Sequence, residues 1–314
     1  MNKKLKVVFT SFPVISASQV ERCFKQRPNP YWVTIPLGIA HLVSVLENEE
    51  FIDTVECVDY YIELQNGPDY GSYENFIDTL AEKITYKPDI VAYSINFSTQ
   101  HDFFVRCEER FRQKWPDSIF VAGGTHATNA TKDIFQLSSI DYLVRGEAEN
   151  TFPQLLKLVY NGKLDDANLI QGVYSRNSIL ENEEALKISE YPSLDNLPHP
   201  AWHIFDMDRY KSTKNRSLRA GQPLSAAECG IMTSRGCPYH CTFCSSFSLH
   251  GRQMRYFPVD WTKRMCKDLY EKYGVSDFVI NDDLFTVNKN RTIEVLGELQ
   301  KLQIPNIRLH NRNA

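Results

Sequence analysis

Strand and helix patterns alternate five times over residues 5–160, and this alternation limits the possible folds more than any other feature of the sequence. Short runs rich in Val, Ile and Phe alternate with longer runs in which apolar residues recur at helical spacing. Five βα repeats predict an α/β fold with an open parallel sheet and helices on both faces. The predicted strands are residues 5–10, 55–59, 89–94, 119–122 and 142–144, and the predicted helices are residues 36–46, 73–85, 103–115, 132–137 and 151–160.

Small and polar residues follow four of the predicted strands, at residues 10–12, 94–96, 123–125 and 146–147. In an open α/β sheet, ligands bind outside the carboxyl ends of the strands, so these residues are candidates for a binding site. Glycine lets the backbone approach a large ligand closely. A glycine pair such as that at 123–124 also suits a tight strand-to-helix turn, and both roles remain open at this point.

Three cysteines, Cys237, Cys241 and Cys244, stand in a C-x3-C-x2-C arrangement directly after a predicted strand at residues 230–234. Three thiolates on one loop are good ligands for a soft metal centre. A cubane iron–sulfur cluster has four irons, so three protein ligands leave one iron open to a small molecule. The alternative is a structural zinc site that also uses His240. His240 is adjacent to Cys241, whereas structural zinc ligands usually come in separated pairs, and this disfavours zinc.

The triplet, with the aromatic Phe243 before its last cysteine, resembles the radical S-adenosylmethionine (SAM) superfamily. In that superfamily the open iron chelates SAM, and an electron from the cluster cleaves the sulfonium to release a 5′-deoxyadenosyl radical. The resemblance implies that Cys237, Cys241 and Cys244 hold a [4Fe-4S] cluster and that Phe243 lies at the SAM site. It also implies an electron donor such as flavodoxin or ferredoxin as a partner.

The elements predicted after the cysteines form a βαβαβ run, as in the first part of a (β/α) barrel. They are a helix at 259–273, a strand at 277–281, a helix at 290–302 and a strand at 307–310. Asp282 and Asp283 follow the middle strand, where the radical SAM family often has a glycine-glycine-glutamate element. The resemblance implies that at least one of them accepts hydrogen bonds from the amino group of SAM. The alternative is that they cap the following helix.

A second resemblance covers residues 5–160 and is carried by residues 36–38, 88–91, 122–126 and 141–149. These stretches resemble the cobalamin-binding domain found before radical SAM domains, which has a Rossmann-like (flavodoxin-like) parallel sheet. The resemblance implies that cobalamin lies across the strand ends, with its nucleotide tail near the glycine pair. The residues that it places at this site are Ser94, Gly123, Gly124, Thr125 and Gly146.

The sequence departs from many cobalamin proteins at the expected cobalt ligand. Those proteins supply a histidine through a D-x-H-x-x-G motif after the first strand, but residues 11–16 read Ser-Phe-Pro-Val-Ile-Ser. His126 follows the glycine pair, on the side expected for the tail. We therefore expect cobalamin to bind without a protein histidine on cobalt.

The two resemblances predict a cobalamin-binding domain at residues 1–165, a connector at 166–228 and the N-terminal part of a radical SAM barrel at 229–314. Within the connector, two short strands are predicted at 171–175 and 185–188, around an acidic turn at 181–184. Three prolines between residues 192 and 200 predict an extended linker. The basic stretch at 211–223 predicts a solvated loop.

A complete barrel of this kind takes on the order of 200 residues, and only residues 238–314 follow Cys237. We therefore expect the sequence to be truncated, a fragment of a longer enzyme that lacks most of its substrate contacts. This leaves open whether the fragment is inactive on its own.

The composition excludes several classes of protein. A net charge of −4 and a pI of about 6.1 indicate no nucleic-acid surface, and no apolar run is long enough to span a membrane. Five of the eight cysteines are scattered singly outside the triplet, which is typical of buried thiols and not of a disulfide framework. With no export signal, a reducing cytoplasm is the expected location.

These features favour an enzyme that uses cobalamin and SAM together, with methylation of an unactivated carbon of a small molecule as the favoured reaction. A cobalamin-dependent radical cyclisation or rearrangement remains open, and so does a non-catalytic cobalamin-binding sensor or regulator, although the intact triplet disfavours the sensor. The tRNA methylthiotransferases carry a second cluster on three N-terminal cysteines. Cys57 and Cys107 lie inside predicted regular elements, which disfavours that class.

Overall fold

The computed structural model describes residues 3–25, 33–181, 186–212 and 227–311. The chain divides into two compact units. Unit 1 comprises residues 1–30 and 38–192, and unit 2 comprises residues 31–37 and 193–314. The division after residue 192 falls inside the predicted connector.

Unit 1 is built on a six-stranded sheet in the order β2-β1-β3-β4-β5-β6. The first five strands of this order are parallel, and β6 is antiparallel to β5. This is the flavodoxin-like order of a doubly wound sheet with one added edge strand, so the predicted α/β fold is confirmed. The strands are β1 Leu5–Ser11, β2 Ile52–Asp59, β3 Ile90–Ser94, β4 Ile119–Gly123, β5 Tyr142–Val144 and β6 Val173–Ser175.

Nine α-helices are described in the segments around these strands, and five of them match predicted helices within a few residues. Of the other four, α3 begins where the carboxylate of Asp59 accepts hydrogen bonds from the N–H groups of Tyr61 and Ile62, at 2.8 and 3.4 Å. The helices are α1 Ala17–Lys25, α2 Leu37–Leu46, α3 Tyr60–Asn66, α4 Tyr73–Glu82, α5 His101–Lys114, α6 Thr125–Asn129, α7 Thr131–Leu137, α8 Thr151–Asn161 and α9 Arg176–Glu181.

The predicted strand at 185–188 is wrong for its described residues 186–188, which form no strand. Side chains of the neighbouring segments satisfy the carbonyl groups there, in place of a strand ladder. Arg145 donates to Leu186 O, and the Tyr174 hydroxyl donates to Lys187 O at 3.0 Å. The predicted acidic turn lies largely outside the described residues, as does most of the predicted basic loop at 211–223.

A cluster of buried aromatic side chains holds the carboxyl ends of β1 and β3 against α3 and α5. The ring centroids of Tyr60 and Phe103 are 5.0 Å apart, and those of Phe12 and Phe103 are 5.4 Å apart. Tyr93 of β3 packs edge-on against Phe104 at 5.2 Å. Aromatic pairs at these separations add to the free energy of burial, so the strand ends that form the candidate site rest on a rigid base.

Unit 2 contains a three-stranded parallel sheet in the order β11-β10-β7. Cys229 lies opposite Phe278 and Ile231 opposite Ile280, so these buried side chains share one face of the sheet. The strands are β7 Ala227–Ile231, β8 Ser234–Arg235, β9 Arg255–Tyr256, β10 Val275–Ile280 and β11 Arg308–Asn311, and the helices are α10 Met207–Ser212, α11 Ser246–His250, α12 Val259–Tyr273 and α13 Lys289–Gln300. The predicted βαβαβ run is therefore present as β7, α12, β10, α13 and β11.

The proline-rich stretch after residue 192 packs within unit 2. Leu197 and Trp202 are buried, and the indole N–H of Trp261 on α12 donates to Leu197 O at 2.8 Å. The Trp261 ring also stacks on Phe257, with centroids 4.3 Å apart. These contacts tie the stretch to the first helix of the βαβαβ run. Among the described residues, we find no helix with the length and apolar character needed to cross a membrane.

Candidate functional site

The loop of residues 236–254, called the cysteine loop below, carries all three cysteines of the triplet. Its base is closed by an antiparallel pairing of β8 with β9, in which Ser234 lies opposite Tyr256. Within the loop, Cys237 N donates to Gly251 O at 3.2 Å and Cys244 N donates to the carbonyl of Cys241 at 3.3 Å. Cys237 and Cys244 are half-buried, and Cys241 is exposed.

Gly236, which precedes the first cysteine, is fixed by the chain around it. Its φ of +93° lies in a region that favours glycine, and a Cβ there would lie 2.2 Å from Gln253 O. Its N–H donates to Asp283 Oδ2 at 2.9 Å. This glycine therefore sets the direction in which the chain enters the cysteine loop.

The donor set of the cysteine loop fits an iron–sulfur cluster by its chemistry, since it offers three thiols on one loop between β8 and β9. Among the described residues, no group of three or more His, Cys, Asp or Glu side chains is arranged to hold a metal ion. The three cysteines therefore lie in one segment, but their thiols do not point to a common position. His240, the further ligand of the zinc alternative, is exposed on the same loop.

Aromatic side chains on the cysteine loop are unusually exposed. Phe243 is 89% exposed and Tyr239 is 61% exposed. The guanidinium of Arg252 lies 4.4 Å from the ring centroid of Phe247 and donates to Tyr239 O. The ring of the predicted SAM contact Phe243 is therefore open to solvent.

Asp282 lies at the end of β10 and is fully buried. Its Oδ1 accepts from Thr233 N at 2.6 Å, and its Oδ2 accepts from Thr233 Oγ1 at 2.6 Å and Ser234 Oγ at 2.5 Å. Burial raises the pKa of the Asp282 carboxyl, while the hydrogen bonds from Ser234 and Thr233 act in the opposite direction. Asp282 is therefore directed at the segment between β7 and β8. Because Thr233 takes part in these bonds, the strand predicted at 230–234 ends at Ile231.

The neighbouring Asp283 is half-buried and accepts the hydrogen bond from Gly236. Neither aspartate is the cap of α13. That position belongs to Asn288, whose Oδ1 accepts from Arg291 N at 3.2 Å. The capping alternative is therefore wrong for this helix, and a contact of Asp282 or Asp283 with SAM stays a prediction.

Arg291 is the main residue of this region that the sequence reasoning did not find. It projects from the first turn of α13, is almost entirely buried, and donates through Nη2 to Thr233 O at 2.6 Å and Phe257 O at 3.1 Å. Burial lowers the pKa of Arg291, and the carboxylate of Asp282 acts in the opposite direction. A cation in the first turn of a helix is disfavoured by the helix dipole, and that is the signal that could have identified it.

In unit 1, the carboxyl ends of the strands are joined by Gln100, which the sequence reasoning also did not find. Its amide Nε2 donates to Phe12 O at 2.7 Å, and its Oε1 accepts from Asn96 N at 2.7 Å and Phe97 N at 3.0 Å. Gln100 is buried, so this side chain links the loop after β1 to the loop after β3.

Asn96 brings two of the predicted cobalamin residues together. Its Nδ2 donates to Ser94 Oγ at 3.1 Å, and its Oδ1 accepts from Thr125 N at 3.2 Å. Ser94 and Thr125 are half-buried, and they therefore lie at one rim of the sheet. Their contact with cobalamin stays a prediction.

The three glycines of the predicted site differ in whether the structure would tolerate a side chain there. Gly124 has a φ of +102°, and a Cβ there would lie 2.6 Å from Ile95 O, so the turn itself needs this glycine. A Cβ at Gly123 would meet nothing closer than Val144 O at 3.6 Å. Gly146 has a φ of +93°, and a Cβ there would lie 2.8 Å from Ser189 Oγ. The chain's own packing thus explains Gly124 and Gly146, whereas a Cβ at Gly123 would make only an ordinary contact.

His126 pairs with a second histidine near the same rim. Its Nε2 lies 3.0 Å from Nδ1 of His101, so one ring donates a hydrogen bond to the other. Burial and then the neighbouring His101 lower the pKa of His126, while Asp133 acts in the opposite direction. The absence of a protein histidine on cobalt stays a prediction.

Comparison with known families identifies the first unit. Residues 30–156 match the family model of the B12 binding domain. The chain carries a B12-binding domain. The rim formed by Ser94, Asn96 and Thr125 lies within the matched residues.

Three relatives extend the comparison beyond this domain. The chain is 29% identical over 265 residues to an uncharacterized methyltransferase, PH0819, of Pyrococcus horikoshii, covering 83% of this chain and 51% of the relative. It is 27% identical over 301 residues to the cytidylyl-2-hydroxyethylphosphonate methyltransferase of Streptomyces wedmorensis, covering 87% and 55%. It is 24% identical over 280 residues to the anaerobic magnesium-protoporphyrin IX monomethyl ester cyclase of Cereibacter sphaeroides, covering 86% and 41%.

The fold also matches a solved structure. The cobalamin-dependent S-adenosylmethionine radical enzyme OxsB, with aqua-cobalamin and S-adenosylmethionine bound, superposes with a TM-score of 0.68 at 18% identity, over 98% of this chain and 38% of OxsB. In sequence, the chain is 27% identical over 216 residues to the cobalamin-dependent radical SAM methyltransferase TokK of Streptomyces tokunonensis, covering 64% of this chain and 28% of TokK. The predicted resemblance to radical SAM proteins with an N-terminal cobalamin-binding domain is confirmed. The chain spans about half the length of the curated relatives it matches.

Proposed function

We propose that the chain is part of a cobalamin-dependent radical SAM enzyme that methylates an unactivated carbon of a small molecule. The observation that carries this proposal is that one chain holds a B12-binding domain and, on the loop between β8 and β9, the Cys237, Cys241 and Cys244 triplet. Two relatives named as methyltransferases support the choice of methylation.

In this proposal Cys237, Cys241 and Cys244 hold a [4Fe-4S] cluster, and the B12-binding domain holds cobalamin. Once bound, these groups and SAM supply radical formation and methyl transfer, whereas the protein binds and orients them. The exposed ring of Phe243 would contact SAM, and Ser94, Gly123 and Thr125 would border cobalamin. Gly124 and Gly146 shape the rim through their turns.

A second candidate reaction is a cobalamin-dependent cyclisation or rearrangement. The relative named as a magnesium-protoporphyrin monomethyl ester cyclase supports it, since its similarity covers 86% of this chain. The two candidates require the same cofactors and differ in the product. A product that carries one added methyl carbon, traced with SAM labelled in its methyl group, identifies methylation.

The proposal also requires an external one-electron donor, such as a flavodoxin or ferredoxin, to reduce the cluster. The exposure of Cys241 supports a docking position next to the cysteine loop. Chemical cross-linking of reconstituted protein with flavodoxin is expected to involve residues of this loop.

The experiment that tests the proposal is anaerobic reconstitution of the full chain. We expect roughly four irons and four sulfides per chain, the content of a cubane cluster. Replacement of Cys237, Cys241 or Cys244 by Ala is expected to abolish the cluster and the production of 5′-deoxyadenosine from SAM. Cys57→Ala is the matched control, because this thiol lies on β2 in unit 1. Stoichiometric zinc without sulfide would contradict the proposal.

A further inference from the structure

Both ends of the cysteine loop are held by one side chain from a distant helix. Arg291 of α13 donates to the carbonyl of Thr233, just before the loop, and to the carbonyl of Phe257, just after it. The same Thr233 O accepts from Phe257 N at 3.0 Å. The backbone bond and the guanidinium together close the loop at its base.

The hydroxyl of Thr233 connects this cation to Asp282. Arg291 Nη1 lies 3.2 Å from Thr233 Oγ1, and Thr233 Oγ1 lies 2.6 Å from Asp282 Oδ2. A guanidinium can only donate, so the hydroxyl accepts from Arg291 and uses its one proton to donate to the carboxylate. The direction of donation is therefore fixed: Arg291 donates to Thr233, and Thr233 donates to Asp282.

These groups are buried together. Thr233 and Asp282 have no exposed surface, Ser234 is 1% exposed and Arg291 is 9% exposed. Buried charges are tolerated when hydrogen bonds satisfy them, and removal of one partner leaves the others unsatisfied at a large cost. We therefore expect these four side chains to be held rigidly, unlike those of an ion pair on the surface.

Through Thr233, the buried hydrogen-bond network with Arg291 and Asp282 lies close in sequence to the first cysteine, Cys237. Thr233 and Ser234 donate hydrogen bonds to Asp282, and Gly236, whose φ of +93° favours glycine, donates one to the adjacent Asp283. Cys237 follows directly. Hydrogen bonds to the residues just before Cys237 therefore set the position of its backbone. The three thiols themselves are not arranged around one point.

We propose that Asp282, Thr233 and Arg291 form a loop clamp, a set of positioning residues that holds the base of the cysteine loop for cluster binding. This inference rests on the proposed function. In this inference Asp282 binds the backbone and side chains of Thr233 and Ser234. This role replaces the contact with the amino group of SAM that the family resemblance implies. In this role Asp282 presets the loop before any cluster is bound.

The test compares Thr233→Val with Thr233→Ser in the full chain. Val keeps the shape of Thr and loses the hydroxyl, whereas Ser keeps the hydroxyl and loses the methyl group. The first readout is amide hydrogen exchange of peptides that span residues 234–240, in metal-free protein. The second is the lifetime of the reconstituted cluster in the presence of an iron chelator, followed by its visible absorbance.

We expect Thr233→Val to accelerate exchange and cluster loss by roughly tenfold or more, the effect of losing a buried hydrogen bond to charged groups, and Thr233→Ser to stay near wild type. Asp282→Asn is expected to act like Thr233→Val. Its matched control is Asp260→Asn, which changes an exposed carboxylate on α12 paired with Arg264. Circular dichroism checks that each variant is folded.

The two proposals fail in different ways. A wild-type chain that takes up no iron and sulfide would overturn the proposed function and, with it, the clamp's role in cluster binding. Normal cluster uptake with equal exchange and cluster lifetime in wild type and Thr233→Val would overturn the clamp alone. Equal loosening in Thr233→Ser and Thr233→Val would also overturn it, because packing would then explain the effect.

Discussion

Gly123 and Gly124 are adjacent in the chain, but the structure requires only one of them to be glycine. Gly124 combines a positive φ with a position where a Cβ would lie 2.6 Å from Ile95 O, so any side chain there would be strained. Gly123 is the last residue of β4, and a Cβ there would make only an ordinary contact, with Val144 O at 3.6 Å. The sequence alone cannot separate the two roles, since both residues read as parts of one turn.

This difference predicts opposite results for two alanine variants. Gly124→Ala is expected to lower the free energy of unfolding by roughly 2–4 kcal/mol, from the strained φ and the backbone overlap. Gly123→Ala is expected to change it by less than about 1 kcal/mol while weakening cobalamin binding, because the methyl group enters the space at the strand ends. Urea unfolding and a cobalamin titration followed by absorbance measure the two effects. Wild-type cobalamin affinity in Gly123→Ala would remove Gly123 from the site.

Elements with strong periodicity are predictable from this sequence, and short elements fixed by distant contacts are not. The five strands and five helices of the βα repeats are close to their predicted positions, because each carries a local pattern of apolar residues. In contrast, α3 depends on a cap from the end of β2, and α9 forms at Arg176–Glu181, where the sequence pattern predicts no helix. The three cysteines could be identified as candidate cluster ligands from the sequence alone, because their spacing is local. The loop clamp joins residues 233, 282 and 291, and no local pattern reveals it.

The strands are expected to differ in local stability. β3 is central in its sheet and nearly fully buried, whereas all four residues of β11 are half-buried. Amide hydrogen exchange is therefore expected to be slow in β3 and β4, and faster in β11. β10 lies between two strands and is fully buried, so we expect it to be protected as well. Equal protection in β11 and β3 would contradict this order.

At the scale of the whole molecule, the two candidate cofactor sites lie in different compact units. The rim with Ser94 and Thr125 belongs to unit 1, and the cysteine loop belongs to unit 2. Each unit has its own buried apolar residues, including Phe103 in the first and Phe278 in the second. Each site is therefore built on a separate core.

This separation predicts that cobalamin binding does not need the cluster. A variant with Cys237, Cys241 and Cys244 all changed to Ala is expected to bind one cobalamin per chain with an affinity within about threefold of wild type, since no unit 1 contact is altered. Isothermal titration with hydroxocobalamin measures this. The single variant Gly123→Ala serves as the positive control for weakened binding. A large loss of affinity in the triple variant would show that the two sites are coupled.

The loop clamp also has a consequence for the order of events during synthesis. Cys237, Cys241 and Cys244 leave the ribosome well before Arg291, which lies roughly 50 residues further along the chain. At roughly 5–20 residues per second, the nascent cysteines spend several seconds without the side chain that closes their loop. We therefore expect stable cluster insertion only after α13 has been translated. Until then the three thiols need a reducing environment.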